Sequence, residues 1–409
     1  MKRLLLALLA LLWLTGCSTT NWHLAPTPAV LKEPRLDFER AMPEALRTTR
    51  LPVFYATTRA RTESPENYSN SSADGVELGV AQVRLGEPGW DWAALMASDQ
   101  ASTVAKPRNG AVESVQAFGT VPQADDAFVQ AIDAQLARTK NPTLVFYVHG
   151  YRVAFNEVAV QMGSFSHYLG QGAVVTFQWP TGSMFWNYLT DCPRAEQYIP
   201  AIERMLALLA RTKAEQISVM AYSCGSPLLA AALDRLRART PAASRDELQK
   251  SWRIGNVMYV ASDVDLKTFA SEHVQPSLDL ARQVLVYYSR IDRALGFSSL
   301  IAGASRLGRP DITDLSVEEI RRLASDPRLQ AIDVTSVRGA HEMGGMKGHG
   351  YWYANEVIST DVLLSLRYPI PPAQRCLENQ PGTLVWRIPE NYVDCVSEKL
   401  LRLYPALAR

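Results

Sequence analysis

The sequence predicts an α/β protein whose central sheet is mostly parallel and flanked by helices. Short apolar segments alternate with helix-like segments from residue 143 to residue 366, which is the pattern of repeated strand–helix units. The segment 143–148 is almost continuously apolar, as expected of a strand that is buried on both faces. With 409 residues, of which 47% are hydrophobic and 20% charged, the chain can bury a large core.

The first residues have the pattern of a targeting segment rather than of a folded domain. The positive pair Lys2-Arg3 precedes an apolar stretch, 4–14, that is too short to span a bilayer. The following Leu14-Thr15-Gly16-Cys17 resembles the signal box of bacterial lipoproteins, which implies removal of residues 1–16 and lipidation of Cys17. An ordinary secretory signal with a chance cysteine is the alternative. By analogy with such lipoproteins, Ser18 favours the outer membrane, with the body of the protein in the periplasm.

The rest of the chain divides into three parts. Residues 17–50 lack periodicity and are expected to be a tether, residues 51–370 to form the α/β domain, and residues 371–409 to be a C-terminal extension. The domain begins with a strand, and a polar loop is expected at 60–75. The expected strands are 53–56, 78–85, 112–118, 143–148, 173–177, 217–222, 257–261, 284–288 and 331–334. The expected helices are 125–136, a helix capped by Asn156, 194–211, one from Pro227, and 353–366.

The stretch 217–233 carries the strongest local signal. Its apolar strand stops at Ser223, and an Ala/Leu-rich helix follows from Pro227. A serine between a strand and a helix lies on a sharp turn, where its hydroxyl projects outward and the next N–H groups lie at the positive end of the helix dipole. Ala221-Tyr222-Ser223-Cys224-Gly225 therefore matches a nucleophile elbow, with alanine in place of the first glycine. A helix N-cap role for Ser223 is the alternative.

Three polar residues follow predicted strands in the order serine, aspartate, histidine. An activated serine needs a base, and the base needs a carboxylate that fixes its tautomer. Ser223, Asp292 and His349 occur in the chain order found in α/β-hydrolases. Because function in a parallel sheet lies at the carboxyl ends of the strands, these three residues are the candidate catalytic triad.

Six short segments carry a resemblance to a known family. They lie between residues 52 and 368 and are Phe54-Tyr55-Ala56-Thr57-Thr58-Arg59, His149-Gly150-Tyr151, Gln178-Trp179-Pro180, Ala221-Tyr222-Ser223-Cys224-Gly225, Asp292-Arg293-Ala294-Leu295 and Gly348-His349-Gly350-Tyr351-Trp352. Together they resemble a bacterial α/β-hydrolase family of esterase/lipase type whose physiological role is largely unassigned. The sequence departs from that family at the elbow, where histidine and methionine usually flank the serine and Tyr222 and Cys224 stand here.

The resemblance and the elbow together imply an oxyanion hole. One donor would be the backbone N–H of Cys224, directly after the serine. The resemblance implies that the other is the N–H of Tyr151, in the loop after the first parallel strand. His149, in the same loop, is expected to be a structural residue.

Two positions of the triad have competitors. Asp263 and Asp265 also follow a strand, although loop or helix capping would explain them equally well. We favour Asp292 because it follows the penultimate strand, as in the family. His341 lies earlier in the same loop as His349 and is otherwise a surface histidine. The better family match favours His349 as the base.

The four remaining cysteines and the net charge limit the kinds of protein that this chain can be. Cys192, Cys224, Cys376 and Cys395 allow three full pairings in an oxidising compartment. We expect Cys376 to pair with Cys395, since they are close in sequence, and Cys224 to be a small buried filler. No cysteine or histidine spacing indicates a zinc site, and a net charge of +1 with scattered arginines shows no nucleic-acid footprint.

We therefore expect a lipid-anchored serine hydrolase that acts on small-molecule or lipid carboxylic esters without a cofactor or metal. A thioesterase, peptidase or acyltransferase would use the same triad, and a non-catalytic envelope scaffold on a hydrolase fold is the alternative from another class. The loops 181–192 and 296–328 are expected to shape the pocket. Four aromatic residues after a strand either line an acyl pocket or pack in the core: Trp179, Phe185, Trp186 and Tyr188.

Overall fold

The computed structural model describes residues 22–63, 66–103, 105–139, 141–341, 348–368 and 370–409, except for the side chains of residues 41 and 185. The expected signal peptide and Cys17 lie outside this part of the chain. Within it, no helix is both long enough and apolar enough to cross a membrane.

Twelve strands of the described chain form one sheet. Numbered β1–β12 along the sequence, they are Trp22–His23, Arg50–Arg61, Tyr68–Leu85, Asn109–Thr120, Thr143–Val148, Ala173–Gln178, Gln216–Tyr222, Ile254–Val260, Ala281–Tyr288, Leu329–Asp333, Glu378–Asn379 and Val385–Arg387. Their order across the sheet is β1-β4-β3-β2-β6-β5-β7-β8-β9-β10-β12-β11. The eight strands from β2 to β12 in this order run parallel, while β1, β4, β3 and β11 pair antiparallel at the two ends. The carboxyl ends of the eight parallel strands therefore share one edge.

Helices cover both faces of this sheet. Numbered α1–α15 within the described residues, they are Phe38–Ala41, Trp92–Ala101, Asp125–Leu136, Phe155–Leu169, Tyr188–Arg194, Ile199–Leu209, Gly225–Ala238, Arg245–Trp252, Leu266–Thr268, Val274–Leu280, Arg293–Ala302, Val317–Ser325, Tyr351–Ala354, Glu356–Arg367 and Tyr392–Leu403. On one face, residues of α6 and α7 share a core with Phe146 and Val219. On the other, residues of α4 and α14 share a core with Tyr147 and Met220. Successive residues of β5 and β7 point to opposite faces, so both strands are mostly apolar.

The predicted fold class and all nine predicted strands are confirmed, with local differences. The loop expected at 60–75 is largely a continuation of the β2–β3 hairpin, in which Arg61 pairs with Tyr68. The helix α4 is capped by Ala154, so Asn156 lies inside the helix and is not its cap. The helix expected at 353–366 is two helices, α13 and α14, because the side chain of Asn355 caps the second.

Residues 22–50 differ from the expected tether because they pack against the domain. Trp22–His23 pairs with β4 at the edge of the sheet. Leu24, Val30 and Leu36 are buried, and the hydroxyl of Thr27 donates to the buried carboxylate of Asp99 at 3.1 Å. The buried residues of this segment show no helical or strand periodicity in the sequence, because most of the segment has no regular secondary structure. Residues 22–50 are therefore part of the folded body and not a tether.

The C-terminal extension, 371–409, completes the same fold. Its strand β12 adds to β10 in parallel, and a disulfide joins Cys376 to Cys395. Arg375 and Asp361 form a fully buried ion pair, with Arg375 Nε 2.8 Å from Asp361 Oδ1. The hydroxyl of Tyr392 also donates to Asp361, at 2.7 Å. The extension is thus held to α14 by charges that are buried and paired.

We expect the substitution Arg375→Met to lower the free energy of unfolding by about 3–5 kcal/mol, because it leaves the Asp361 carboxylate buried without its counter-ion. Urea unfolding of the purified protein measures this loss. The control Arg35→Met removes the exposed contact of Arg35 with Asp394 and should leave the unfolding midpoint in place. Equal midpoints for both variants would contradict the role given to the buried pair.

Candidate active site

The turn between β7 and α7 holds Ser223 in an unusual conformation. Its φ angle is 53°, in the left-handed region that residues other than glycine rarely adopt. Hydrogen bonds fix the turn on both sides: Ser223 N–H donates to Val260 O at 3.1 Å, and Ser226 N–H donates to Ser223 O at 2.9 Å. Such strain persists only where neighbouring structure enforces it, and it is typical of functional sites.

Two glycines allow the neighbouring loop to pack directly against this turn. A β-carbon at Gly225 would lie 2.4 Å from His149 O, and one at Gly150 would lie 2.9 Å from the β-carbon of Ser223. Real β-carbons do not make contacts this short. The loop after β5 and the start of α7 can therefore meet at Ser223 only because both positions lack a side chain.

The structure brings Ser223, His349 and Asp292 into one hydrogen-bonded chain. His349 Nε2 lies 2.8 Å from Ser223 Oγ, and His349 Nδ1 lies 2.7 Å from Asp292 Oδ2. Asp292 is fully buried, and its second oxygen accepts the N–H of Leu295 at 3.0 Å, which caps α11. Both oxygens of the carboxylate thus have a donor, and the aspartate orients the imidazole towards the serine.

The surroundings of His349 shift its protonation equilibrium. Burial acts to lower the pKa of His349, but the charge of Asp292, the hydrogen bond that His349 donates to Asp292 and the charge of Asp263 outweigh it. The pKa of His349 is therefore raised above its ordinary value. The site favours a positive charge on the imidazole, which is the charge that a base acquires when it takes a proton from the serine.

The residues that compete for these roles lie elsewhere. Asp265 caps α9, since its side chain accepts the N–H of Thr268. Asp263 lies beside the turn but points into a separate group of hydrogen bonds. His341 is exposed, while His349 makes the contact with Ser223. The geometry thus supports the choice of Asp292 and His349 that the sequence suggested.

Asp263 is the centre of a buried polar cluster that sequence reasoning did not find. It accepts hydrogen bonds from Ser298 Oγ at 2.6 Å and Tyr188 Oη at 2.5 Å, and Arg306 Nε lies 3.4 Å away. Burial raises the pKa of Asp263, although Ser298, Tyr188 and Arg306 oppose this. Residues 188, 263, 298 and 306 are far apart in sequence, so only the fold brings them together.

Cys224 forms a disulfide with Cys192, which corrects the expectation that it is a simple buried filler. The two residues are 32 positions apart, with α-carbons 5.8 Å from each other. Cys192 belongs to α5, so the bond ties the residue after Ser223 to this short helix. Four cysteines allow three pairings, and the sequence pattern favoured only the pairing of Cys376 with Cys395.

The two expected oxyanion donors belong to Cys224, directly after Ser223, and to Tyr151, in the loop that packs against Ser223. Cys224 precedes α7 as its N-cap residue, so its N–H lies at the positive end of that helix. Tyr151 follows Gly150, the residue in close contact with Ser223. Neither N–H donates to a backbone acceptor among the loop and turn hydrogen bonds of the described residues. Both groups are therefore available to a ligand.

His149 supports this loop without joining the triad. Its ring stacks on Trp179 at a centroid distance of 5.4 Å, and Trp179 Nε1 donates to His149 O at 3.0 Å. Burial, followed by the positive charge of Arg59, lowers the pKa of His149 to about 3. The residue is neutral near pH 7, in keeping with the structural role expected for it.

A pocket of about 160 Å³ opens at Ser223 and His349. Its aromatic lining is Tyr151, Tyr188, Tyr222, Phe297 and Tyr353. Among the four aromatic residues that the sequence singled out, Tyr188 lines this pocket, Trp179 is buried in the core and Trp186 is exposed. The side chain of Phe185 lies outside the described part of the chain. In the described residues, no group of three His, Cys, Asp or Glu side chains is placed to hold a metal ion.

The fold and the site together define an α/β-hydrolase-like protein with a serine, a histidine and an aspartate at the carboxyl edge of a parallel sheet. Residues 124–367 match a family model described as alpha/beta hydrolase of unknown function (DUF900), and the chain belongs to this family. Residues 1–18 match the model of a prokaryotic membrane lipoprotein lipid attachment site. No match was found among proteins with curated descriptions. The chain is thus a lipid-anchored member of a hydrolase family.

The two histidines of the site are expected to differ in an NMR pH titration. His349 should titrate above the ordinary histidine pKa of about 6.5, because the Asp292 carboxylate stabilises its charged form. The substitution Asp292→Asn should move the His349 pKa below that ordinary value, since burial then dominates. His149 should stay neutral until the pH approaches about 3.

The control for this titration is Asp265→Asn, which changes a helix cap and leaves the Asp292–His349 contact in place. The same shift in both variants, or no shift with Asp292→Asn, would show that Asp292 does not set the pKa of His349.

Proposed function

We propose that the protein is a lipid-anchored serine hydrolase that cleaves carboxylic esters through an acyl-enzyme. The observation that carries this proposal is the hydrogen-bonded chain from Ser223 Oγ to His349 to the buried Asp292. The strained turn at Ser223 supports it, because a purely structural serine has no need of a left-handed backbone.

Acylation follows from this geometry. Ser223 Oγ attacks the ester carbonyl while His349 Nε2, at 2.8 Å, takes the hydroxyl proton. The resulting imidazolium is stabilised by Asp292, whose charge already raises the pKa of His349. His349 then donates the proton to the alcohol oxygen as the carbonyl–oxygen bond of the ester breaks. In deacylation a water molecule takes the place of the alcohol, and the same proton transfers release the carboxylic acid.

The oxyanion of each tetrahedral intermediate is bound by the N–H groups of Cys224 and Tyr151. The positive end of α7 adds to this stabilisation, since Cys224 is its N-cap residue. Removing one such donor in hydrolases costs roughly 3–4 kcal/mol of barrier. The disulfide from Cys224 to Cys192 and the tight contact at Gly150 hold both donors in place before the substrate arrives.

The pocket favours a short acyl group. Its volume of about 160 Å³ lies below the range of about 300–1,000 Å³ found for ligand pockets. Aromatic walls surround this space, and Asp263 is held among its own donors at one side. Acetyl to butyryl esters, including those of aromatic alcohols, are therefore the first substrates to test.

The lipid on Cys17 holds the enzyme at the bacterial cell envelope. We propose the periplasmic face of the outer membrane, on the strength of Ser18 directly after the cysteine. The lipid attachment site at residues 1–18 supports the anchor itself.

The assignment of the base is tested by two histidine variants. His349→Ala should lower kcat/KM on p-nitrophenyl acetate by roughly 10⁴–10⁶, as should Ser223→Ala, because triad members act as a unit. The double variant should lose little more. His341→Ala should stay within about tenfold of wild type, or roughly 1.4 kcal/mol of barrier. The rates are measured by spectrophotometry, with a fluorophosphonate probe to report labelling of Ser223.

The reverse ranking of the two histidine variants would overturn the triad. Absence both of ester hydrolysis and of probe labelling in wild type would instead overturn the proposed activity.

The disulfide at the elbow has its own test, because the chain contains a second disulfide as a matched control. Replacing Cys192 and Cys224 by serine should lower kcat at least about tenfold, since the Cys224 N–H is no longer fixed against the developing oxyanion. Replacing Cys376 and Cys395 by serine should leave kcat within about twofold, because that bond is remote from the site. Similar kcat values for both double variants would remove the elbow disulfide from the mechanism.

A further inference from the structure

A second cavity lies behind the active site. Its volume is about 900 Å³, and none of Ser223, Asp292 and His349 lines it. Its floor includes Val286 of β9 and Ala331 of β10, and its walls include residues of α11, α12 and the segment 380–385. This volume is near the upper end of the range of about 300–1,000 Å³ found for ligand pockets.

Helix α11 separates this cavity from the active-site pocket. Phe297 and Ser298 line the pocket, whereas Ser299 and Leu300 line the cavity. Ser298 holds the wall in place, since its hydroxyl donates to the buried Asp263 and contacts Tyr188 Oη at 2.6 Å. Moving α11 away would remove a hydrogen bond from the buried carboxylate of Asp263, which raises the free energy of the structure. The cavity is therefore a separate site and not an extension of the acyl pocket.

The cavity is mainly apolar but contains two hydroxyls that lack a hydrogen-bond partner among the described residues, Ser299 Oγ and Ser305 Oγ. Ser305 is only 9% exposed. Both oxygens are themselves covered by the wall of the cavity, so the polar groups that a ligand can reach belong to other residues of the lining. At the surface, Leu300 and Ile312 line the same cavity and are 80% and 60% exposed. A ligand with an apolar chain would cover them.

The charges of the lining indicate the head group of such a ligand. Arg290 and Arg309 are its cations, and Asp311 and Asp314 are its anions, so the formal charges cancel. Arg290 is also paired with Asp333 at 3.0 Å. A charged head group would be attracted by the arginines or the aspartates and repelled by the other pair. Hydroxyl groups can accept hydrogen bonds from the arginines and donate hydrogen bonds to the aspartates.

We propose that this cavity binds a monoacyl lipid with an uncharged, hydroxyl-bearing head group. The acyl chain lies along Val286, Ala331 and the inner face of α12, and the head group lies near Arg309 and Asp311. This binding is independent of the proposed hydrolase activity, since the cavity and the triad share no residue.

The proposed occupant is a second molecule and not the N-terminal lipid of the chain itself. In the sheet order, β1 and β10 are nine positions apart, which corresponds to about 43 Å at about 4.8 Å per strand. The five residue steps from Cys17 to Trp22 span at most about 18 Å, so a lipid on Cys17 would have to stretch over the remaining distance. A lipid chain held in the cavity in this way would no longer anchor the protein in a bilayer.

The test is photo-crosslinking of the full-length protein, reconstituted in phosphatidylcholine vesicles, with a long-chain monoacylglycerol that carries a diazirine on its chain. We expect adducts in segments 299–315 and 380–385, and competition by 1-monooleoylglycerol at least about tenfold stronger than by oleate. Two variants fill the cavity, Ala304→Trp and Ala324→Trp, and both should lower the labelling about tenfold. The control Ala302→Trp adds the same side chain at an exposed residue of α11 outside the lining and should label like wild type.

Thermal unfolding followed by circular dichroism shows which filling variant keeps the wild-type fold, and one such variant suffices. Adducts mainly outside the two segments, or undiminished labelling in a folded filling variant, would overturn the site. Competition by oleate as strong as that by 1-monooleoylglycerol would overturn the uncharged head group.

Discussion

The hydrogen bond between Asp292 and His349 is the interaction on which the arrangement of the site depends. One oxygen of this buried carboxylate starts helix α11, and the other fixes the imidazole. A buried carboxylate is stable only when it is paired and hydrogen-bonded. The same group therefore couples the end of β9, the helix behind the pocket and the loop that carries His349, and a change in any of these alters the base.

The turn at Ser223 is constrained from two directions. From the sheet side, Gly150 and Gly225 allow the loop after β5 to approach the serine more closely than a side chain would permit. From the solvent side, the disulfide to Cys192 ties the turn to α5, which also carries Tyr188 of the pocket wall. The disulfide thus links the wall of the pocket covalently to the backbone that follows the serine.

Sequence reasoning predicted the parts of the fold that have a local period or a local motif. The strands β5 and β7 are recognisable because burial on both faces makes them mostly apolar, and Ser223 is recognisable because of the turn that it occupies. By contrast, β1, β11 and β12 have two or three residues each, and they are defined by their pairing with a neighbouring strand rather than by a period of their own.

The same limit applies to the site. The triad could be inferred because each member follows a strand, so its place along the sheet edge depends on strand order alone. The Cys192–Cys224 bond and the cluster around Asp263 depend instead on how α5 and α11 fold back over that edge. No spacing in the sequence encodes such a contact, whereas strand order alone already favoured Asp292 over Asp263, and the contact with His349 supports that choice.

The position of the short strand β1 limits how the protein can be oriented at a membrane. Trp22 pairs with Gly110 of β4. The next residue, Ala111, is aligned across the sheet with Arg84 of β3 and Arg50 of β2. Ala56 lies six residues after Arg50 in β2, which is about 20 Å further along the strands at about 3.3 Å per residue. Ser223 lies beyond the level of Ala56, at the end of β7, which is six strand positions from β1. A lipid on Cys17 would thus attach near one corner of the sheet, whereas Ser223 lies near the middle of the opposite edge. With the anchor at that corner, the pocket can stay clear of the bilayer, and a ligand can reach it from the aqueous space.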